Sequence, residues 1–144
     1  KPQELTGSSI PFVGDFVESK VREAVSNLTE KVLAEGYVVQ NLASKAAAES
    51  GVEERYSPER VAGAALATES FFDFPVFYVE YSGTYGGTED VEAAAQYLDD
   101  TILLYGGGIQ RAAQTEEILD AGADAVVVGD IFHDDPERFL DTIP

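Results

Sequence analysis

Four short β-branched and aromatic runs, Tyr37–Gln40, Val76–Ser82, Ile102–Tyr105 and Ala125–Val128, are each separated from the next by a helix-like segment. No Asn-Gly or Asp-Gly dipeptide offers a tight hairpin between any two of them. Strands separated by helices must run parallel and connect by right-handed crossovers. The expected class is therefore α/β with a parallel sheet, either a small open sheet or half of a (βα)8 barrel. A whole barrel takes about 250 residues, and this chain has 144. As a barrel it reads as one partial domain over residues 1–144 whose first half is missing. The absence of an initiator Met fits a processed, trimmed or partial chain, and KPQELTGSS shows no signal-peptide pattern.

The intervening segments read as follows. Phe16, Val17, Val21, Ala24, Val25, Leu28, Val32 and Leu33 fall on one face of a helix over 15–35, with Asp15 as its cap and Gly36 as its terminating glycine. Residues 42–56 predict a loop with a helical turn. Ser57-Pro58-Glu59 is a helix start, and Asp73-Phe74-Pro75 ends that helix near Phe72. Further helices are expected over Thr88–Leu98, capped by Thr88 with Glu89 and Asp90 at its positive end, over Thr115–Ala121, and around Pro136–Leu140.

Charge narrows the function. Asp and Glu number 27 against 9 Lys and Arg, a net −18. Such a chain repels nucleic acid and anionic membrane, because it lacks the cationic surface that releases phosphate counterions. With only four lysines, the composition suggests adaptation to high salt, where screening acts within roughly 3 Å at 1 M. An acidic protein of ordinary cytoplasm is the alternative. Cysteine is absent, which excludes disulfides and thiolate metal sites. No apolar run reaches the roughly 20 residues of a membrane-spanning helix.

Ligands of parallel α/β proteins sit beyond the carboxyl ends of the strands. Those ends read Gln40-Asn41, Ser82-Gly83-Thr84, Gly106-Gly107-Gly108 and Gly129-Asp130. Glycine there lets main-chain N–H groups approach a ligand closely, so an acidic chain can hold phosphate without a basic patch. A Gly-Gly-Gly run is also a common flexible turn. The dinucleotide fingerprint fails, since Arg111 stands where its third glycine belongs, and there is no Walker A motif. The informative feature is the pair of consecutive strand–glycine–helix units, ILLYGGGI and AVVVGDIF, because loops after the last two strands build a recurring barrel phosphate site.

With period 2, Phe77, Val79 and Tyr81 point to one face of their strand, and Tyr78, Glu80 and Ser82 to the other. A carboxylate in an apolar strand needs a partner. Either Glu80 pairs with a Lys or Arg inside a barrel, or it accepts hydrogen bonds from substrate hydroxyls and takes a proton from one. His133 reads as solvated. Asp134, Asp135 and Glu137 read as a capping run more than a cation site, and Asp99-Asp100 as a solvated turn. Arg111 either assists phosphate binding or covers a helix end.

YVEYSGTYGG, LLYGGGI and ADAVVVGDIFHDD, in this order and spacing, resemble the geranylgeranylglyceryl phosphate synthases and their bacterial heptaprenylglyceryl phosphate relatives. The likeness runs from about Gly36 to the end. It implies the C-terminal half of a (βα)8 TIM barrel and transfer of a geranylgeranyl (prenyl) group from its diphosphate to a hydroxyl of sn-glycerol 1-phosphate. A cytoplasmic phosphoglycerol geranylgeranyltransferase of archaeal ether-lipid synthesis is thereby implied.

Tyr78, Val79, Glu80, Tyr81, Ser82 and Gly83 would hold glycerol phosphate, with Tyr78 and Glu80 on its hydroxyls and Glu80 the catalytic candidate. Gly107, Gly108, Gly129 and Asp130 would give backbone donors to its phosphate, although many family members carry Asn where Asp130 stands. The resemblance also implies Mg²⁺, with ligands expected in the missing N-terminal half. Four barrel strands leave two open sheet edges, which favour a homo-oligomer, and the resemblance further implies peripheral membrane contact through the lipid product. The alternatives are a non-catalytic half-barrel that binds a phosphate ligand, and a sugar-phosphate barrel enzyme of another kind.

Overall fold

The computed structural model describes residues 32–144. Strand β1 (Glu35–Val39) is followed by α1 (Lys45–Ser50) and α2 (Pro58–Ala67), which a π-helical turn, Thr68–Phe72, continues. Then come β2 (Val76–Tyr81), α3 (Thr88–Ala95), β3 (Ile102–Gly107), α4 (Ala112–Asp120), β4 (Ala125–Val127), α5 (Asp130–Asp134) and a 3₁₀ turn, Arg138–Thr142. The strands lie in the order β1-β2-β3-β4, every pair parallel. The expected α/β class and the alternation of parallel strands with helices are thus observed.

Register sorts the strand side chains by face. Val38, Val79, Tyr105 and Val126 align across the sheet, as do Tyr37, Tyr78, Leu104 and Ala125 one residue away. The first row, with Phe77, Tyr81 and Leu103, packs under the helices against Val61 and Ala65 of α2, Val91 and Ala94 of α3, and Ile118 of α4. Burying these side chains is the main favourable term for the fold, at roughly 1.5–3 kcal/mol per large apolar side chain. The second row carries no helix cover among the described residues, and Ile102 and Val127 on that face are 48% and 45% exposed. Among the described residues no helix is long and apolar enough to cross a membrane.

Several boundaries differ from the sequence expectation for physical reasons. The helix expected over 15–35 lies largely outside the described residues, but its end is corrected: Val32–Ala34 are not helical and Glu35 opens β1. Gly36 is therefore a strand residue and not a helix terminator. A Cβ there would stand 2.2 Å from the Thr68 hydroxyl and 2.8 Å from the Phe77 ring, so glycine lets the π-helical turn close onto β1. Thr88 does not cap α3; Gly87, left-handed at φ 77°, occupies the cap position. Gly106 and Gly107 extend β3 beyond Tyr105. The expected final helix is replaced by α5 and the 3₁₀ turn, with Pro136 between them.

Candidate functional site

At the carboxyl end of the sheet, the loops after β2 and β3 and the segment after β4 enclose a cavity of about 420 Å³. Its lining includes Gly83, Thr84, Gly108, Gln114, Asp130 and Arg138. Gly83 needs its glycine, because its φ of 80° is left-handed. Gly108 needs it for space: a Cβ would lie 2.8 Å from the Thr84 carbonyl carbon. The two loops therefore interlock, and the Gly108 N–H donates to Thr84 O at 2.6 Å.

The triple glycine also has a packing role within the sheet. None of its φ angles is positive. At Gly106 a Cβ would stand 1.8 Å from the Tyr78 hydroxyl oxygen, and at Gly107 2.2 Å from that of Tyr105. Both make room for tyrosine rings on opposite sides of the sheet. Gly129 does face open space, where a Cβ would meet nothing.

Glu80 is 3% exposed on the face opposite the helices. Its Oε2 accepts from the Tyr37 hydroxyl at 2.6 Å, and its Oε1 from the Ser82 N–H. No Lys or Arg pairs with it among the described residues. The Tyr37 and Tyr78 rings stack with centroids 4.9 Å apart. Burial, and next the Glu80 carboxylate, push both phenols well above their usual range, so both remain protonated donors. Each Glu80 oxygen keeps an acceptor position beyond the bond it makes. The arrangement can orient a hydroxyl presented from the uncovered face.

A second polar cluster fastens the site from the helix side. Asp90, fully buried in the first turn of α3, accepts from the Tyr81 hydroxyl at 2.5 Å and from Gln40 Nε2 at 2.6 Å. Its Oδ2 also meets Arg55 at 3.2 Å, while its Oδ1 is buried without a partner. The Gln40 amide bonds the Tyr56 backbone twice, through N–H and C=O. Tyr105, with its phenol pushed up to about 12 by burial, donates to Gly86 O at 2.9 Å. Together these bonds hold the loop after β2 against the sheet.

Of the residues singled out from sequence, Gly83, Gly108 and Asp130 meet around the cavity. Tyr78 and Glu80 share the uncovered face, and Ser82 leads from β2 into the cavity loop. Val79 and Tyr81 point the other way, at 0% and 3% exposure in the core. Gly107 and Gly129 flank the cavity. Arg111 occupies the cap position of α4, His133 is exposed beside Phe132, and Asp135 caps the backbone of Glu137 and Arg138. Among the described residues no three acidic or His side chains are placed to hold a metal ion. Sequence reasoning missed Tyr37 and the Gln40–Asp90 pair, whose roles depend on neighbours 16 or more residues away.

The PcrB family model matches residues 13–144. The chain is 42% identical over 114 residues to heptaprenylglyceryl phosphate synthase of Lysinibacillus sphaericus, covering 79% of this chain and 49% of that protein. It is 35% identical over 133 residues to the enzyme of that name from Listeria innocua, covering 92% and 54%. The chain thus spans about half the length of the curated relatives it matches. Among solved structures it resembles (S)-3-O-geranylgeranylglyceryl phosphate synthase of Thermoplasma acidophilum in complex with sn-glycerol-1-phosphate, at a TM-score of 0.68 and 23% identity over 96% of this chain and 57% of that one. Wild-type GGGPS of Thermoplasma volcanium gives 0.64 and 20% over 85% and 53%. The shared fold makes the four-stranded sheet a partial barrel.

Proposed function

The chain belongs to the PcrB family, and on that premise we propose that it carries the glycerol-phosphate-binding part of a prenylglyceryl phosphate synthase. One observation carries the reading. The buried carboxylate of Glu80, held by two donors, lies on the uncovered face of the strand whose following loop opens into the glycine-framed cavity. A glycerol phosphate laid along β2 would put its hydroxyls at Glu80 and Tyr78 and its phosphate among Gly83, Gly108, Gly129 and Asp130. The Thermoplasma acidophilum structure of the same fold was solved with sn-glycerol-1-phosphate.

In the proposed reaction the glycerol oxygen bonds to C1 of the prenyl group, the bond from C1 to diphosphate breaks, and the hydroxyl proton leaves toward Glu80. Holding nucleophile and base in contact supplies the entropic part of the rate. On this reading the diphosphate and Mg²⁺ are held by barrel residues outside those described. For the donor we propose geranylgeranyl diphosphate, as the motif resemblance implies, and for the setting a salt-adapted, archaeal cytoplasm, which the net charge of −18 supports. The bacterial relatives are named for heptaprenyl transfer.

The test is an assay with labelled sn-glycerol 1-phosphate, Mg²⁺ and each prenyl diphosphate in turn, in molar KCl. The 144-residue chain alone should bind glycerol phosphate without forming product. Supplied with a complementary barrel half, it should turn over, and Glu80→Gln should lower that rate at least about 100-fold. An unchanged rate in the Gln variant would make Glu80 a structural acid.

A further inference from the structure

We propose that Arg138 meets the phosphate charge in this cavity, so that the site depends on a guanidinium from the 3₁₀ turn after β4 and not on main-chain donors alone. This rests on the glycerol-phosphate reading and names the group that makes an anion tolerable there.

Several main-chain donors at or beside the cavity are already engaged. The N–H of Gly108 donates to Thr84 O, that of Ile109 to Gly107 O at 2.8 Å, and that of Thr84 to Tyr81 O at 2.9 Å. The Gln110 N–H donates to Gln114 Oε1 and the Ser82 N–H to Glu80. What remains must face an acidic wall, because Asp130, Asp134 and Asp135 also line the cavity. A phosphate dianion approaching three carboxylates is repelled unless a cation touches it.

Among the described residues Arg138 is the one cation in that lining. Lys45, Arg55 and Arg60 are each paired with an acid elsewhere. Arg138 makes no ion pair within 4.0 Å among the described residues, although Asp134 and Asp135 share its cavity. The reason is local. Asp135 turns an oxygen to the backbone N–H groups of Glu137 and Arg138, at 3.2 and 3.3 Å.

The turn itself is seated by buried Thr142, whose carbonyl accepts from the Thr115 hydroxyl of α4 at 2.7 Å. Arg138 is thus presented on a fixed backbone, with its guanidinium in no ion pair among the described residues. A guanidinium forks onto two phosphate oxygens at once. Contact of this kind survives salt that screens more distant charges within roughly 3 Å at 1 M.

The experiment is isothermal titration of sn-glycerol 1-phosphate and of inorganic phosphate into the 144-residue chain in molar KCl, with thermal melts as a folding control. Arg138→Gln should weaken both ligands about tenfold or more, Arg138→Lys should restore part of the loss, and Arg60→Gln, at an exposed residue paired with Glu54, should leave both affinities unchanged. Wild-type affinity in Arg138→Gln would overturn the proposal. So would full recovery in the triple variant Arg138→Gln, Asp134→Asn, Asp135→Asn, which would show that Arg138 only neutralises its neighbours. If the wild-type chain binds neither ligand, the glycerol-phosphate reading fails and this inference with it; loss confined to the Arg138 variants leaves that reading standing.

Discussion

At Gly106 any side chain would have to displace a tyrosine, since its Cβ would lie 1.8 Å from the Tyr78 hydroxyl oxygen and 2.6 Å from the ring carbon bearing it. Gly106→Ala should therefore destabilise the fold by about 1–3 kcal/mol, measured by urea unfolding. Tyr78→Phe in the same chain should recover part of that loss by removing the oxygen. Strict additivity of the two changes would contradict the contact. This residue also marks a limit of sequence reading. Three consecutive glycines after a strand announce close approach, but whether a ligand or a neighbouring ring makes the approach depends on cross-strand register. Glu80 was more legible. Period 2 placed it beside Tyr78 on the polar face, while its partner Tyr37 sits 43 residues away and carried no local signal.

Among the elements, α3 is fixed to the sheet by one buried carboxylate. Asp90 gathers Tyr81 of β2, Gln40 at the end of β1 and Arg55 of the preceding loop. Removing one partner of a buried ionic cluster leaves the others unpaired. Asp90→Ala should cost about 3 kcal/mol and speed amide hydrogen exchange in the loop 82–87, read by exchange mass spectrometry. Loss of stability with unchanged exchange in that loop would separate Asp90 from the site. The sequence placed Asp90 correctly in the first turn of α3 but read it only as an acid near the helix's positive end. Acidic first-turn residues are usually solvated, and only the neighbouring Gln40 and Tyr81 turn this one into a core residue.

For the molecule as a whole, the buried tyrosines set a response to alkali. Burial raises Tyr37, Tyr78, Tyr81, Tyr85 and Tyr105 above the ordinary phenol value of 10, Tyr105 to about 12. A raised native pKa means the unfolded chain loses its proton first. That stabilisation is complete below pH 10 and falls as pH climbs from 10 toward 12 and beyond. The melting temperature should drop steeply above pH 10, with tyrosinate absorbance near 295 nm rising together with unfolding. Ionisation well before unfolding would contradict the burial.

The alternation of strands and helices, and with it the parallel sheet, was legible because apolar periodicity encodes it directly. What covers the face bearing Ile102 and Val127, and what pairs the outer edges of β1 and β4, is not encoded in local pattern. The central claim, that this sheet carries the glycerol-phosphate part of a prenyl-transfer site, is tested most directly by ¹⁵N-labelled NMR titration with sn-glycerol 1-phosphate in molar KCl. Saturable shifts should gather at Tyr78, Glu80, Gly83, Gly108, Gly129 and Asp130, and inorganic phosphate should reproduce only those around the cavity. No saturable shifts, or shifts confined to other parts of the chain, would contradict it.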